Sequence, residues 1–73
     1  MPKLPRVTSR KLIATLLREG FLRDRQRGSH VILRHSDGRR AIVPMHVRDP
    51  SIGTLRGILH DVDWSVEEFV GRL

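Results

Sequence analysis

Two short apolar runs, Val31-Ile32-Leu33 and Ala41-Ile42-Val43, flank the segment Ser36-Asp37-Gly38, and this arrangement constrains the fold more than any other feature of the chain. Aliphatic, largely β-branched runs separated by a Ser-Asp-Gly turn signal read as a β-hairpin, with strands over residues 30–35 and 40–45. Pro44 has no N–H for a ladder hydrogen bond, which puts it at a strand end or on an edge. Two registers compete. A three-residue loop with Gly38 left-handed pairs His35 with Arg39 and His30 with Pro44, placing His30 and His46 on one face. Val31, Leu33, Ala41 and Val43 then share a helix-covered side, while His30 and Arg34 look outward beside Arg40. A two-residue Asp37-Gly38 turn separates the two histidines.

The flanking segments supply helices. Thr8 is expected to cap a helix with Leu12, Ile13, Leu16 and Leu17 inward and Lys11, Thr15 and Arg18 outward, stopped by Gly20. Residues 21–26 read as another strand, and Arg27-Gly28-Ser29 as the turn into the next. Asp49-Pro50 is expected to launch a helix carrying Leu55, Ile58, Leu59 and Val62, with Gly53 letting it start close to the sheet. Ser65 and Glu68 form a capping box, and Trp64 and Phe69 a hydrophobic staple, so a last short helix begins at Ser65. The order is helix, three strands, helix, short helix. It implies an α+β fold in which a three-stranded antiparallel sheet carries helices on one face and leaves the other open.

A chain of 73 residues makes one domain, spanning residues 1–73, and buries only about 60% of the surface it exposes when unfolded. It has no cysteine, which excludes disulfides and thiolate metal sites and suits a reducing cytoplasm. No apolar run approaches the roughly 20 residues that span a bilayer, and Met1-Pro2-Lys3-Leu4-Pro5-Arg6 lacks the apolar stretch of a signal peptide. The expectation is a soluble cytoplasmic protein with no membrane partner.

The net charge of +6 is unevenly spread. Residues 1–48 set twelve Lys or Arg against Glu19, Asp24 and Asp37, a net +9, whereas residues 49–73 set Arg56 and Arg72 against five acids, a net −3. Twelve of the fourteen basic residues are arginine, whose planar fork pairs with phosphate oxygens at two points and stacks on bases. Nucleic acid is the partner this composition favours.

Gly28-Ser29-His30 brings together a residue that lets the backbone turn tightly, a hydroxyl, and an imidazole able to move a proton near neutral pH. These are parts for phosphate chemistry. Pro44-Met45-His46 offers a second imidazole, either as a supporting catalytic group or as a loop hydrogen-bonding residue. His35, beside the turn, and His60, in a helix, are expected to be bystanders. No His-x-x-x-His pair and no acidic pair beside His30 or His46 is present, so neither a metal nor another cofactor is implied. Gly53-x-x-x-Gly57 lacks the lysine and hydroxyl of a phosphate loop.

Taken in order, Gly28-Ser29-His30, the short hairpin, Pro44-Met45-His46, Gly53-Thr54-Leu55-Arg56-Gly57-Ile58-Leu59 and Ser65-Val66-Glu67-Glu68-Phe69 resemble the HicA (YcfA-like) toxins, small mRNA interferases of bacteria and archaea. The resemblance covers nearly the whole chain. It implies a double-stranded-RNA-binding-domain-like fold, ribonuclease activity on mRNA, and a HicB-type antitoxin that occludes the active site. By it, His30 matches the catalytic histidine, with Gly28 and Ser29 as motif neighbours. Many members have a second histidine directly after the catalytic one, where this chain has Val31.

The expected activity is metal-independent RNA cleavage, with His30 transferring a proton and Arg25, Arg27, Arg34 and Arg40, within the arginine-rich residues 23–40, holding the RNA backbone. A non-catalytic RNA-binding module is the main alternative, and aromatic stacking residues on the open face would mark it. A protein-interaction domain that takes an acidic partner on the same surface is a third reading.

Overall fold

A computed structural model describes residues 3–73; Met1 and Pro2, the start of the proline-punctuated segment, lie outside the described residues. The elements run α1 (Ser9–Arg18), β1 (Leu22–Arg27), β2 (His30–Arg34), β3 (Arg40–Pro44), α2 (Ile52–Asp61) and α3 (Val66–Arg72). The three strands form one antiparallel sheet in the order β1-β2-β3, the expected α+β architecture. The first strand begins and ends one residue later than its sequence pattern indicates, because Phe21 is drawn into the end of α1 instead.

That end is a Schellman motif. Gly20 takes a φ of 96°, its N–H donates to the Leu17 carbonyl at 3.2 Å, and the N–H of Phe21 reaches the Leu16 carbonyl at 3.0 Å. The same motif ends α2, where Asp63 occupies the left-handed position with a φ of 60° and the N–H of Trp64 donates to the Leu59 carbonyl. At the helix starts, Thr8 accepts from the N–H of Lys11 at 3.0 Å. Ser51, and not Asp49, caps α2 by accepting from the N–H of Thr54 at 3.1 Å. With the cap at Ser51, Pro50 falls just ahead of the helix and not in its first turn, where it is fully buried. Ser65 and Glu68 close the capping box of α3 from both sides, and Trp64 stacks on Phe69 with centroids 6.4 Å apart.

Three expectations about faces are corrected. Thr15 is fully buried, which it tolerates because its hydroxyl donates to the Lys11 carbonyl at 2.9 Å. Leu17 instead reaches solvent, since the buried stripe of α1 is centred on Ser9, Leu12, Ile13 and Leu16. A Cβ on Gly53 would meet nothing within 4 Å, so its small size is not what lets α2 approach the sheet.

The hairpin takes the three-residue loop. His35 donates its N–H to the Arg39 carbonyl at 2.9 Å, the N–H of Gly38 donates back to the His35 carbonyl at 3.0 Å, and Gly38 has a φ of 99°. His30 accordingly pairs with Pro44, Val31 with Val43 and Leu33 with Ala41. Val31, Leu33, Ala41 and Val43 point into a core completed by α1, α2 and the aromatic rings of Phe21, Trp64 and Phe69. Burying Val31, Leu33 and Val43 contributes about 1.5–3 kcal/mol each. What the helices cover fixes what stays open: His30, Arg34 and Arg40 remain exposed on the other face.

Candidate active site

The open face is organised in three rows across the sheet. Cross-strand pairing aligns Arg27, His30 and Pro44 in one row, Arg25, Ile32 and Ile42 in the next, and Leu22, Arg34 and Arg40 in the third. All four arginines singled out by the sequence thus share a face with His30. For Arg25 and Arg27 this depends on a β-bulge between Arg23 and Arg25. In unbroken alternation Leu22 would share its face with Asp24 and Gln26; the extra residue at Asp24 reverses the parity and brings Arg25 and Arg27 round.

Asp24 does more than bulge. Its carboxylate accepts from Arg34 Nε at 2.8 Å and lies 4.0 Å from Arg25 Nε. The hydrogen bond from Arg34, then the charges of Arg34 and Arg25, hold this carboxyl below the usual aspartate range. Arg34 is therefore engaged, whereas Arg27 and Arg40 form no ion pair among the described residues. Arg39 does not belong to this face. Its guanidinium donates to the Val62 carbonyl at 2.7 Å and to Asp37 at 2.8 Å and lies over the Phe21 ring, clamping the hairpin to the end of α2. That removes it from the phosphate-holding arginines expected within residues 23–40.

His30 opens β2 directly after Gly28, whose φ of 57° makes the turn out of β1, and Ser29. The Ser29 backbone carbonyl accepts from the N–H of Met45 at 2.6 Å, extending the β2–β3 ladder past Pro44. This fixes the segment carrying His46. The Ser29 hydroxyl then lies 3.4 Å from His46 Nδ1, and the imidazoles of His30 and His46 face each other edge to face with centroids 6.1 Å apart. Both line a cleft of about 630 Å³ between β3 and the start of α2, together with Ile42, Pro44, Asp49 and Thr54.

Three contributors were not legible in the sequence. Arg6 lines the cleft from a segment that reads only as an irregular start. Ser9 is buried, donating its hydroxyl to the Pro44 carbonyl at 2.7 Å, while its N–H donates to the Arg48 carbonyl at 2.8 Å, so it pins both ends of the His46 loop. Asp24 carried a weak signal in the alternation Arg23-Asp24-Arg25.

The other two histidines lie apart. His35 packs its edge on Phe21, with centroids 5.0 Å apart, and sits 3.0 Å from the Asp37 carboxylate. The His60 side chain is 91% exposed on α2. Among the described residues no three His, Cys, Asp or Glu side chains converge as a metal-binding group, and no helix is long and apolar enough to cross a membrane.

No curated protein matches the chain. The family model for the HicA toxin of bacterial toxin–antitoxin systems matches residues 9–64, a span that runs from α1 through all three strands and α2 to Trp64. The chain belongs to the HicA toxin family.

Proposed function

We propose that this toxin acts as a metal-independent endoribonuclease on mRNA in the cytoplasm, with His30 transferring a proton at the scissile phosphate. The observation that carries the reading is the position of His30: exposed, at the mouth of a cleft, in a row with Arg27, on a sheet face that also bears Arg25, Arg34 and Arg40. The arginines hold the phosphodiester backbone and neutralise charge that develops on the reacting phosphate. The neighbouring ribose 2′-hydroxyl attacks phosphorus, giving a 2′,3′-cyclic phosphate and a 5′-hydroxyl. Proton transfer by a positioned imidazole contributes about 10²–10⁴-fold.

A purely RNA-binding role that reads single-stranded bases would call for aromatic platforms on the open face. Phe21, Trp64 and Phe69 are all buried in the core, which favours the catalytic reading. The partner is a HicB-type antitoxin that covers His30 and presents carboxylates to the arginines, since a cytoplasmic ribonuclease needs an off state and complementary charge speeds capture. Incubating the purified toxin with a long RNA in excess EDTA tests the activity; a His30→Ala protein that yields no fragments, where wild type does, supports the reading.

A further inference from the structure

We infer that His46 is a second catalytic residue, the general acid that protonates the leaving 5′-oxygen, and that Ser29 is its positioning residue. The inference rests on the ribonuclease reading of the same cleft. Cleavage by the 2′-hydroxyl requires two proton movements on opposite sides of phosphorus, and a single imidazole cannot hold both positions in one step. Two imidazoles 6.1 Å apart on one cleft leave room for a phosphate group within hydrogen-bond reach of each, about 2.6–3.2 Å.

The surroundings distinguish the two rings. His30 is paired across the sheet with Arg27, which offers donors and no acceptor. His46 has the Ser29 hydroxyl 3.4 Å from Nδ1. In the proposed step Ser29 engages the Nδ1 side of the ring, and the other ring nitrogen delivers the proton. The step then balances. The 2′-O–H bond breaks and its proton goes to His30; the bond from O2′ to phosphorus forms; the bond from phosphorus to O5′ breaks; and His46 gives its proton to O5′. Solvent afterwards returns a proton to His46 and removes one from His30. Ser29 couples the two, since it precedes His30 in the chain and its backbone carbonyl anchors Met45 next to His46.

The test uses two oligonucleotides of the same sequence, one natural and one in which sulfur replaces the bridging 5′-oxygen at the site wild type cuts. A thiolate leaves without a proton. His46→Ala should cleave the natural RNA about 10²–10⁴-fold more slowly than wild type and the sulfur-containing RNA at nearly the wild-type rate, whereas His30→Ala should lose both. Ser29→Ala should lower kcat on the natural RNA with little change in KM, and Ser29→Thr, which keeps the hydroxyl, should restore it. Unchanged far-UV circular dichroism and thermal midpoint establish that the exposed His46 can be truncated without unfolding. Equal deficits of His46→Ala on the two substrates, or none on the natural one, overturn the assignment alone. A wild-type protein that cuts neither substrate overturns the ribonuclease reading and the assignment with it.

Discussion

The buried hydroxyl of Ser9 donates to the carbonyl oxygen of Pro44 at 2.7 Å, tying the first turn of α1 to the last residue of β3. It also approaches the Val47 carbonyl at 3.3 Å, so one side chain grips the segment containing His46 on both sides. Replacing Ser9 with alanine strands a buried carbonyl and should cost about 1–3 kcal/mol. For a domain of this size 1 kcal/mol corresponds to about 4–8 °C in the thermal midpoint, readable by calorimetry. RNA cleavage should fall with it, because the His46 loop loses its anchor; an unchanged midpoint would show that the contact contributes nothing.

Gly28 makes the turn before His30 with a φ of 57°, yet a Cβ there would meet nothing within 4 Å. The cost of a side chain is thus confined to the backbone. Gly28→Ala should destabilise by about 1–2 kcal/mol, and Gly28→Asn by less, since asparagine visits the left-handed region more readily. Urea denaturation should register this as a lower midpoint at constant slope. Equal losses for both variants would point to a steric cause instead.

The hairpin was legible in the sequence because Ser36-Asp37-Gly38 is a turn signal between two aliphatic runs. Its register was not, since Asp37-Gly38 also suits a two-residue turn and Ile32 and Ile42 blur the alternation; the His35–Arg39 pairing decides it. The capping box at Ser65 and Glu68 was equally local. What the sequence hid is set by tertiary context. The bulge at Asp24 carries no glycine or proline to announce it, so the face taken by Arg25 and Arg27 could not be read from strand parity. Helical periodicity defines a stripe on α1 but not its centre, which is why Thr15 and Leu17 exchange their expected places. Ser9 looks like any serine in a first helical turn until Pro44 is brought beside it.

If the open-face arginines hold RNA as proposed, Asp24, which accepts from Arg34 Nε at 2.8 Å, competes with it for that guanidinium. Replacing it with asparagine weakens its hold on that guanidinium and frees it for phosphate. In a His30→Ala background, chosen because the proposed mechanism expects it not to cleave, Asp24→Asn should bind single-stranded RNA more tightly. The slope of log affinity against log salt should steepen by about 0.7, the increment for one added phosphate contact. Fluorescence anisotropy from low to moderate salt measures both, and weaker binding would mean that Asp24 orients Arg34 for RNA and does not restrain it.

Acid should loosen the C-terminal helix. Hydrogen bonds from the Ser65 backbone and side chain, then the charge of Arg72, hold the Glu68 carboxyl below the usual glutamate range. A carboxyl depressed in the folded state adds stability that is fully present above its unfolded pKa and is lost as pH falls through the folded one. The thermal midpoint should therefore drop as pH is lowered below the usual glutamate range. Glu68→Gln should start lower at neutral pH and lose part of that dependence. A variant as acid-sensitive as wild type would remove Glu68 from the explanation.

Everything proposed for this cleft depends on proton transfer by His30 at an RNA phosphate. It is tested most directly by incubating wild type and His30→Ala with long RNA in excess EDTA and analysing the product ends. The account predicts fragments ending in a 2′,3′-cyclic phosphate and a 5′-hydroxyl for wild type, and none for a His30→Ala protein with unchanged circular dichroism and thermal midpoint, since truncating an exposed side chain costs little packing. A folded His30→Ala protein that cuts as fast as wild type, or wild-type cleavage that stops on chelation and returns with added metal, would contradict it.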